Sequence, residues 1–316
     1  MNKYELTIVI VNWNTRQLVL DCLDSIYSNY TSDDWNVVVV DNNSHDNSAD
    51  TFENEYPNIE VVRNNGNVGF AAANNQILKR DDSDFYLLLN SDTYVIGDVL
   101  KKSLDYIKSN ESFGVMGCRV LNSDKSVQYT CSKFPTLSSK VEQVFQFTKL
   151  FGGKYKSDEL MTNWHRDSER EVDVVTGCYL LIRNIVIQQV GVLDEDFFFF
   201  GEETDWCYRI KKAGWKIQFS PIGEIVHYGS FSAQKLSYKR DLMLSGAIVR
   251  FFLKNRTKTE AVLVYAVMFC FNVSRALVWT IKYVFNRKIF SKQRASLFLN
   301  CVLRYHKAWP TNKKGW

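Results

Sequence analysis

Three polar residues, Asn90-Ser91-Asp92, follow the apolar run Phe85–Leu89 and are the first candidates for chemistry in this chain. A strand that delivers a carboxylate to its carboxyl end is a common device by which α/β proteins hold a divalent cation. Magnesium is usually held by one or two carboxylates together with phosphate oxygens and water, so Asp92 and a diphosphate would complete a site. Taken alone, the triplet is more often a turn or a helix cap than a cation site.

A second group of carboxylates, in Gly201–Asp205, follows the four phenylalanines Phe197–Phe200. A carboxylate at an apolar boundary is partly desolvated, which raises its pKa towards neutrality and suits a general base. The structural alternative is an acidic helix amino terminus favoured by the helix dipole. The residue types alone leave the base open among Glu202, Glu203 and Asp205.

Two further residues accompany these clusters. Arg209 lies four residues after Asp205, so on a helix it can pair with Asp205 and brace the site, which is a structural role. His227 ends the strand-like run Ile225–His227, where a histidine is either a metal ligand or a hydrogen-bonded core residue.

Strand-like and helix-like segments alternate along the first third of the chain. The predicted strands are Leu6–Val11, Val37–Asp41, Ile59–Arg63 and Phe85–Leu89, and the predicted helices are Leu18–Ile26, Ser48–Tyr56, Phe70–Leu78 and Val99–Ile107. This alternation predicts an α/β fold with a mostly parallel central sheet, right-handed crossovers and covering helices. Ligands of such sheets bind beyond the carboxyl ends of the strands.

All four predicted strands end in amide or carboxylate side chains. The segments are Asn12-Trp13-Asn14, Asp41-Asn42-Asn43-Ser44, Asn64-Asn65-Gly66-Asn67-Val68-Gly69 and Asn90-Ser91-Asp92. Asp41 and its neighbouring amides are suited to a base edge or to ribose hydroxyls, and the glycine-containing loop before Phe70 can present backbone N–H groups to phosphate. Each loop alone is an ordinary turn, but the four together predict a nucleotide site.

These segments resemble family 2 glycosyltransferases of the GT-A fold, a Rossmann-like nucleotide-diphospho-sugar transferase architecture, and in particular bacterial rhamnosyltransferase-like members. The resemblance covers about residues 5–235 in the family's order. It is carried by Thr7–Asn14, Val40–Ser48, Asn67–Asn75, Leu87–Asp92 and Gly191–Arg209.

The resemblance implies a nucleotide-sugar site and a divalent cation, Mg²⁺ or Mn²⁺. Asn90-Ser91-Asp92 stands where the family has its Asp-x-Asp metal motif, so Asp92 is the expected ligand, with His227 completing the metal site. Asn90 departs from the motif and brings no negative charge. The residues expected to bind the nucleotide-sugar are Val11, Asn12, Asn14, Asp41, Asn43, Asn67, Gly69, Phe70, Asn74, Asn90, Ser91 and Asp92.

The resemblance also implies an inverting hexosyl transfer, with L-rhamnose from dTDP-rhamnose favoured and a polysaccharide or lipid-linked glycan as acceptor. The family's base maps onto Glu203, and a Glu at this position is a departure that keeps Glu202 and Asp205 as alternatives. Gly177, Glu202 and Trp206 are expected on the acceptor side. Three competing interpretations are a transferase using another donor such as a UDP-sugar, a catalytically degenerate nucleotide-sugar-binding scaffold, and a nucleotidyltransferase, whose usual glycine-rich basic amino-terminal loop is missing.

The carboxyl-terminal region differs sharply in charge from the rest. Residues 235–316 contain 17 Lys and Arg against 2 Asp and Glu, whereas the preceding residues contain 22 basic and 33 acidic side chains. Ala261–Phe285 is almost continuously apolar but includes Arg275, which favours an in-plane or re-entrant helix as much as a spanning one. The sequence predicts a GT-A domain over residues 1–235, divided into a nucleotide-sugar-binding half (1–119) and an acceptor-binding half (120–235), followed by a helical membrane-associating region over 236–316.

Flanking cations favour an anionic membrane surface as the partner of this region, with a helical packing subdomain or a homodimer interface as alternatives. No nucleic-acid-binding motif accompanies the charge, and we expect no nucleic acid partner. Scattered cysteines and a start without signal-peptide features predict a cytoplasmic protein, peripheral on the inner face of the plasma membrane.

Overall fold

The computed structural model describes residues 3–29, 32–145, 157–229 and 237–310. The chain forms two compact units. The first consists of Met1–Ser132, Trp164–Phe198 and Glu202–Ser230, and the second consists of Lys133–Asn163, Phe199–Gly201 and Phe231–Trp316. The predicted boundary after residue 235 lies outside the described residues.

The first unit is built on a mixed sheet. Its main strands are β1 (Tyr4–Asn12), β2 (Trp35–Asp41), β3 (Glu60–Arg63), β4 (Ser83–Asn90), β5 (Thr93–Val95), β6 (Phe113–Leu121), β10 (Tyr179–Arg183) and β11 (Lys216–His227). The strand order is β3-β2-β1-β4-β10-β6-β11-β5, and the short strand β8 (Arg170–Glu171) pairs with β11. Two further short strands, β7 (Cys131–Ser132) and β9 (Val174–Val175), pair with each other.

Helices connect and cover these strands. They are α1 (Arg16–Tyr27), α2 (Ser48–Glu55), α3 (Phe70–Leu78), α4 (Val99–Lys108), α6 (Asn184–Val190) and α7 (Glu202–Lys212). Each of the eight elements predicted from the sequence is present, with ends within two residues of the predicted ones. Strands such as Val37–Val40 are apolar at successive positions because helices cover both faces of a parallel sheet.

The register of the parallel strands aligns their polar ends. Asn12 at the end of β1 pairs with Asp41 at the end of β2, and Val11 pairs with Asn90 at the end of β4. Because parallel strands end at one edge of the sheet, the amides and carboxylates predicted to bind a nucleotide meet there.

Antiparallel pairings bring later segments to the same edge. Strand β10 runs antiparallel to β4, with Tyr179 opposite Leu89, so the residues that precede β10 lie beside the end of β4. Strand β11 pairs antiparallel with β5, with His227 opposite Thr93. His227 therefore arrives next to the residue that precedes Thr93, which is Asp92.

The described helices of the second unit are α5 (Leu137–Phe145), α8 (Tyr238–Asn255), α9 (Lys258–Asn286) and α10 (Ile289–Leu303), followed by a 3₁₀ turn (Tyr305–Ala308). Thr257 caps α9 through a reciprocal capping box with Glu260. Helix α9 packs against α5, α8 and α10. By length and composition α9 is sufficient to cross a membrane, with a mean hydropathy of 1.9 over its most apolar window.

Candidate active site

The end of β1 and the end of β2 are joined by a hydrogen-bonded network around Asp41. Asn12 Nδ2 donates to Asp41 Oδ1 at 2.7 Å and to Ser44 Oγ at 3.0 Å, and Ser44 N donates to Asp41 Oδ2 at 3.0 Å. Thr15 Oγ1 donates to Asn12 Oδ1 at 2.7 Å and to Ser91 Oγ at 3.2 Å. A carboxylate whose oxygens are already oriented in this way is preorganised to form hydrogen bonds with a polar ligand.

The predicted residues beside this network sit on its exposed rim. Asn14 and Asn43 are exposed and adopt the left-handed backbone region, with φ of 55° and 60°. Asn14 Oδ1 accepts from His45 N at 2.7 Å, which joins the loops after β1 and β2. Val11 is half-buried at the end of β1.

The loop before α3 closes against an aromatic segment. Gly69 has φ of +87°, and a Cβ there would lie 2.6 Å from the carbonyl oxygen of Phe198, so only glycine fits without displacement. Asn67 Oδ1 accepts from Gly69 N at 3.0 Å, and Phe70 N donates to Phe198 O at 3.4 Å. Asn74 is buried within α3, where its Nδ2 donates to Phe70 O at 2.9 Å.

Asp92 and His227 face each other beyond the end of β4. His227 Nε2 lies 3.1 Å from Asp92 Oδ1 and 3.1 Å from Asn90 Nδ2. On the other side of the ring, His227 Nδ1 lies 2.7 Å from Gln128 Oε1. If Nδ1 carries the proton and donates it to Gln128, the lone pair of Nε2 is directed towards Asp92 and Asn90.

These side chains fit a divalent cation. Two ligand atoms at right angles around an ion ~2.1 Å from each are about 3 Å apart, which matches the Asp92–His227 separation. A cation between them would also remove the electrostatic repulsion between the carboxylate oxygen of Asp92 and the Nε2 lone pair of His227. Among the described residues, no group of three His, Cys, Asp or Glu side chains could hold a metal ion. Asp92 and His227 would therefore need oxygens from a bound diphosphate to complete the coordination. Asn90 presents its amide nitrogen to His227, so it could join them only through its amide oxygen.

Glu203 lies in the first turn of α7 and is tied to the segment that precedes β10. Its Oε1 accepts from Gly177 N at 3.0 Å. Burial raises the pKa of Glu203 above the ordinary glutamate value, and the Gly177 hydrogen bond opposes part of that rise. The residue keeps partial solvent exposure, so the carboxylate combines a raised pKa with access. These are the properties that a general base requires.

Cys178 shows that the two carboxylates lie at one place. Burial raises the pKa of its thiol to about 12, and the negative charges of both Asp92 and Glu203 act in the same direction. Its carbonyl oxygen accepts from Asn90 N at 3.3 Å. The Asn90-Ser91-Asp92 segment and the Glu203 carboxylate therefore flank a single residue.

The neighbours of Glu203 on α7 have different surroundings. Asp205 is buried and Arg209 Nε donates to its Oδ2 at 3.0 Å, while the other Arg209 nitrogens donate to the carbonyl oxygens of Val190 and Val192. Arg209 thus ties α7 to the end of α6. Glu202 is also buried.

Trp206 was predicted on the acceptor side, but the structure buries it. Its exposed fraction is 0%, and its Nε1 donates to Gly191 O at 2.8 Å. An acceptor could contact this indole only if the Trp206 side chain moved out of the core, so we assign Trp206 to core packing.

Gln128 is the main site residue that sequence reasoning missed. It lies in a loop without periodicity, and its Nε2 donates to Asn122 Oδ1 at 2.8 Å, which fixes the amide that faces His227. The pairing of β11 with β6, with Val226 opposite Leu121, brings His227 within reach of this loop, so the sequence carries no local signal for the contact.

The chain matches the family description for glycosyl transferase family 2 over residues 7–167. It belongs to that family. A Mycobacterium tuberculosis protein named N-acetylglucosaminyl-diphospho-decaprenol L-rhamnosyltransferase is 26% identical over 211 residues, 62% of this chain and 67% of the relative. The rhamnosyltransferase WbbL of Escherichia coli is 26% identical over 165 residues, 52% of this chain and 59% of the relative.

Solved glycosyltransferase structures share the fold. The Pyrobaculum calidifontis mannosyltransferase in complex with GDP-Man and Mn²⁺ gives a TM-score of 0.56 at 14% identity, covering 96% of this chain and 88% of that one. The S. aureus TarS 1–349 complex with UDP-GlcNAc gives 0.54 at 15% identity, covering 97% and 82%. The predicted GT-A fold, with its mostly parallel central sheet and helical carboxyl-terminal region, is confirmed.

Proposed function

We propose that this family 2 glycosyltransferase is an inverting hexosyltransferase that moves a sugar from a nucleotide-diphospho-sugar to a glycan or lipid-linked acceptor. The observation that carries the proposal is that two consecutive residues before β10 contact both parts of the site: Gly177 N donates to Glu203 Oε1, and Cys178 O accepts from Asn90 N, two residues before Asp92. One carboxylate faces a histidine and an amide, as a cation site requires, and the other is desolvated, as a base requires.

Each end of the donor has a matching part of the site. The Asp41 network offers oriented oxygens and amides to the nucleoside. The first turn of α3, beyond the already bonded N–H groups of Gly69 and Phe70, offers its remaining backbone N–H groups to the diphosphate. For the sugar we propose L-rhamnose carried by dTDP, because both curated relatives described above are named rhamnosyltransferases. A UDP-sugar is the alternative donor.

Glu203 is the proposed base, with Glu202 and Asp205 as alternatives. It takes the proton from the acceptor hydroxyl, whose oxygen forms a bond to the anomeric carbon of the donor. The bond from that carbon to the diphosphate oxygen breaks, and its electron pair leaves with the nucleoside diphosphate. Attack from the face opposite the leaving group inverts the anomeric configuration. Of the three residues, only Glu203 keeps partial exposure, whereas Glu202 and Asp205 are buried.

Asp92, His227 and Asn90 would hold Mg²⁺ or Mn²⁺, and the ion would neutralise charge on the departing diphosphate. Asn90 contributes an uncharged amide in place of a carboxylate, so the site supplies one negative charge instead of two. We expect the metal-free protein to bind the ion more weakly than the protein–donor complex, in which phosphate oxygens are present.

The acceptor and the location are proposed together. The Mycobacterium tuberculosis relative is named for a diphospho-decaprenol substrate, which is a lipid-linked sugar. We infer that this chain also acts on a membrane-bound acceptor in polysaccharide biosynthesis, as a peripheral enzyme on the cytoplasmic face of the plasma membrane.

The deciding experiment is a donor panel. Purified protein with Mn²⁺ or Mg²⁺ is incubated with dTDP-rhamnose and with UDP-, GDP- and other dTDP-sugars in the presence of lipid-diphosphate acceptors, and products are identified by mass spectrometry. Transfer of a deoxyhexose from dTDP-rhamnose is expected. Transfer only from another donor would overturn the rhamnose assignment but keep the transferase.

The missing charge at Asn90 favours one competing function, a nucleotide-sugar-binding scaffold without turnover. That reading predicts donor binding by calorimetry together with no consumption of any donor in the same panel. Consumption of a nucleoside triphosphate with release of pyrophosphate would instead identify a nucleotidyltransferase.

A further inference from the structure

The end of the α9–α10 hairpin is an exposed apolar surface of the second unit. We define the hairpin tip as residues 277–290, which are the last ten residues of α9, the connecting turn and the first two residues of α10. Twelve of these fourteen residues are exposed. The exposed large hydrophobic side chains are Leu277, Val278, Ile281, Val284, Phe285, Ile289 and Phe290.

The packing of α9 changes along its length. Its buried residues, Ala261, Val264, Met268, Asn272 and Ala276, recur every three to four positions and form the face that packs within the second unit. This pattern stops at Ala276. The ten residues that follow extend the helix by ~15 Å, a length similar to the depth of one leaflet's hydrocarbon.

Cations surround the apolar tip, and one of them, Arg294, lies near the Asp241 carboxylate. Residues 261–310 contain no Asp or Glu, while Lys282, Arg287, Lys288, Lys292 and Arg294 lie within or next to the tip. A cationic rim around an apolar centre matches an anionic lipid surface, whose headgroups neutralise the rim while its acyl region takes the apolar side chains. A second copy of the chain would bring like charges together at the same surface.

Amphipathic aromatic side chains mark the level of the expected interface. Trp279 and Tyr283 are half-buried, and Trp279 packs edge-on against Phe290 with ring centroids 5.5 Å apart. Lys282 Nζ lies 4.7 Å from the Trp279 ring and the Arg287 guanidinium lies 5.7 Å from the Tyr283 ring. Trp and Tyr next to Lys and Arg are typical of the boundary between headgroups and hydrocarbon.

We propose that the hairpin tip inserts into one leaflet of an anionic membrane and docks the enzyme there without spanning it. A spanning arrangement would carry the helices packed against α9, which include charged residues such as Lys140 of α5 and Asp241 of α8, into the bilayer with it, and this opposes spanning. The inference deepens the proposed membrane location and rests on it, but it does not depend on the donor sugar or on turnover.

The test uses the full-length protein and sedimentation with vesicles of phosphatidylcholine, with and without phosphatidylglycerol. Wild-type protein is expected to bind the anionic vesicles and to bind neutral ones weakly. Phe285→Ser, at a residue with an exposed fraction of 84%, should lower the partition coefficient about tenfold. Lys288→Glu should lower it about tenfold on anionic vesicles and leave it unchanged on neutral ones.

Matched controls separate the tip from the rest of the hairpin. Leu303→Ser removes an apolar side chain with an exposed fraction of 73% outside the tip, and Lys307→Glu reverses an exposed charge in the same unit. Both should bind like wild type, and circular dichroism should show that all four variants are folded. Soluble-donor hydrolysis by the tip variants serves as an independent readout, since loss of docking should leave it intact.

Several outcomes would overturn the proposal. Tip variants that bind vesicles as well as the controls would show that another surface of the protein binds the membrane. Equal binding of wild-type protein to neutral and anionic vesicles would show that anionic headgroups are not required. Protein that stays in native membranes after alkaline carbonate extraction would indicate a spanning helix. A dimer that becomes monomeric in Phe285→Ser, with vesicle binding unchanged, would identify the tip as an interface between copies.

Discussion

Glu203, the proposed base, lies in an environment that makes its negative charge costly. Burial raises its pKa in the folded protein, so below the unfolded-state pKa the group is protonated in both states and the folded state is favoured by the full shift. That contribution is lost as the pH rises through the folded pKa. A base held in this way is ionised at the expense of stability.

Glu203→Gln should therefore abolish transfer while raising stability at neutral pH. An amide cannot take the acceptor proton, but it can still accept the hydrogen bond from Gly177. We expect transfer to fall by at least about 100-fold with donor affinity nearly unchanged, measured by product formation and by calorimetry. Thermal unfolding should show that the variant gains stability relative to wild type as the pH rises from 4 towards 8, on the order of 1 kcal/mol. Retained transfer would move the base to Glu202 or Asp205.

We expect Gln128 to position His227 in the proposed cation site, because its amide oxygen lies 2.7 Å from Nδ1, the ring nitrogen that faces away from Asp92. Gln128→Leu should lower Mn²⁺ affinity by about 10- to 100-fold, the usual effect of removing a partner of a metal-bound histidine. Gln128→Glu keeps an acceptor at this position and should retain more affinity. Calorimetric titration with Mn²⁺ in the presence of nucleoside diphosphate measures both without turnover.

Two further variants serve as controls for the Mn²⁺ titration. Asp92→Ala removes a proposed ligand and should give the largest loss, whereas Gln188→Leu changes an exposed glutamine whose Nε2 donates to Asp81 and should have no effect. Equal Mn²⁺ affinity in Gln128→Leu and wild type would mean that His227 is oriented by other groups or does not bind the ion.

At the level of elements, the first 108 residues were the most predictable part of the chain. Strands there are short β-branched runs and helices have clear apolar spacing, and both patterns arise because one layer of helices covers each face of the sheet. The end of each strand carries turn-forming amides, so the polar edge of the sheet also followed from the sequence. The register that aligns Asn12 with Asp41 is a consequence of these patterns.

The second half of the site depends on pairings that no local pattern encodes. Strand β10 inserts antiparallel between β4 and β6, and β11 reaches β5 after a register shift between Phe219 and Glu224. These long-range pairings place Gly177 beside Asn90 and His227 beside Asp92. Sequence reasoning could associate the residues only through the family resemblance, and it could not reveal Gln128 or the burial of Trp206.

Gly177 shows how tightly the segment before β10 is fitted. A Cβ at this position would lie 2.7 Å from Phe70 Cζ and 3.0 Å from Glu203 Oε1. Gly177→Ala should therefore displace the base or the aromatic ring and lower kcat about tenfold or more, since misplacement of ~1 Å is sufficient for larger losses. Gln188→Ala, at an exposed position outside the site, is the control.

Kinetics of the two alanine variants decide this point. Gly177→Ala should keep the wild-type unfolding temperature to within a few degrees while losing turnover, and Gln188→Ala should match wild type in both. A Gly177→Ala enzyme with normal kcat would show that the Phe70 ring moves to make room for the added Cβ, or that the observed position of the Glu203 carboxylate is not required for turnover.

At the scale of the whole molecule, the basic carboxyl-terminal region is part of a larger packed unit. Residues 133–163 belong to the same compact unit as the helices after residue 237. Helix α5 packs against α9, Val144 of α5 is buried, and the buried Lys140 Nζ lies 2.6 Å from Glu159 Oε1. The sequence had suggested a tail outside the family match, whereas the structure gives this region a packing partner from within it.

Truncation after Arg240 should consequently disrupt more than membrane binding. It removes nearly all of α8 and the whole of α9 and α10, so the apolar side chains of α5 lose their cover. We expect residues 137–145 to become sensitive to limited proteolysis, with cleavage at least about tenfold faster than in the full-length chain, which corresponds to a loss of ~1.4 kcal/mol of local stability. Removal of residues 311–316 alone is the control and should leave the cleavage rate unchanged. If α5 stayed as resistant in the protein truncated after Arg240 as in the intact one, the carboxyl-terminal helices would be a separable appendage, and membrane release by truncation would become a clean test of docking.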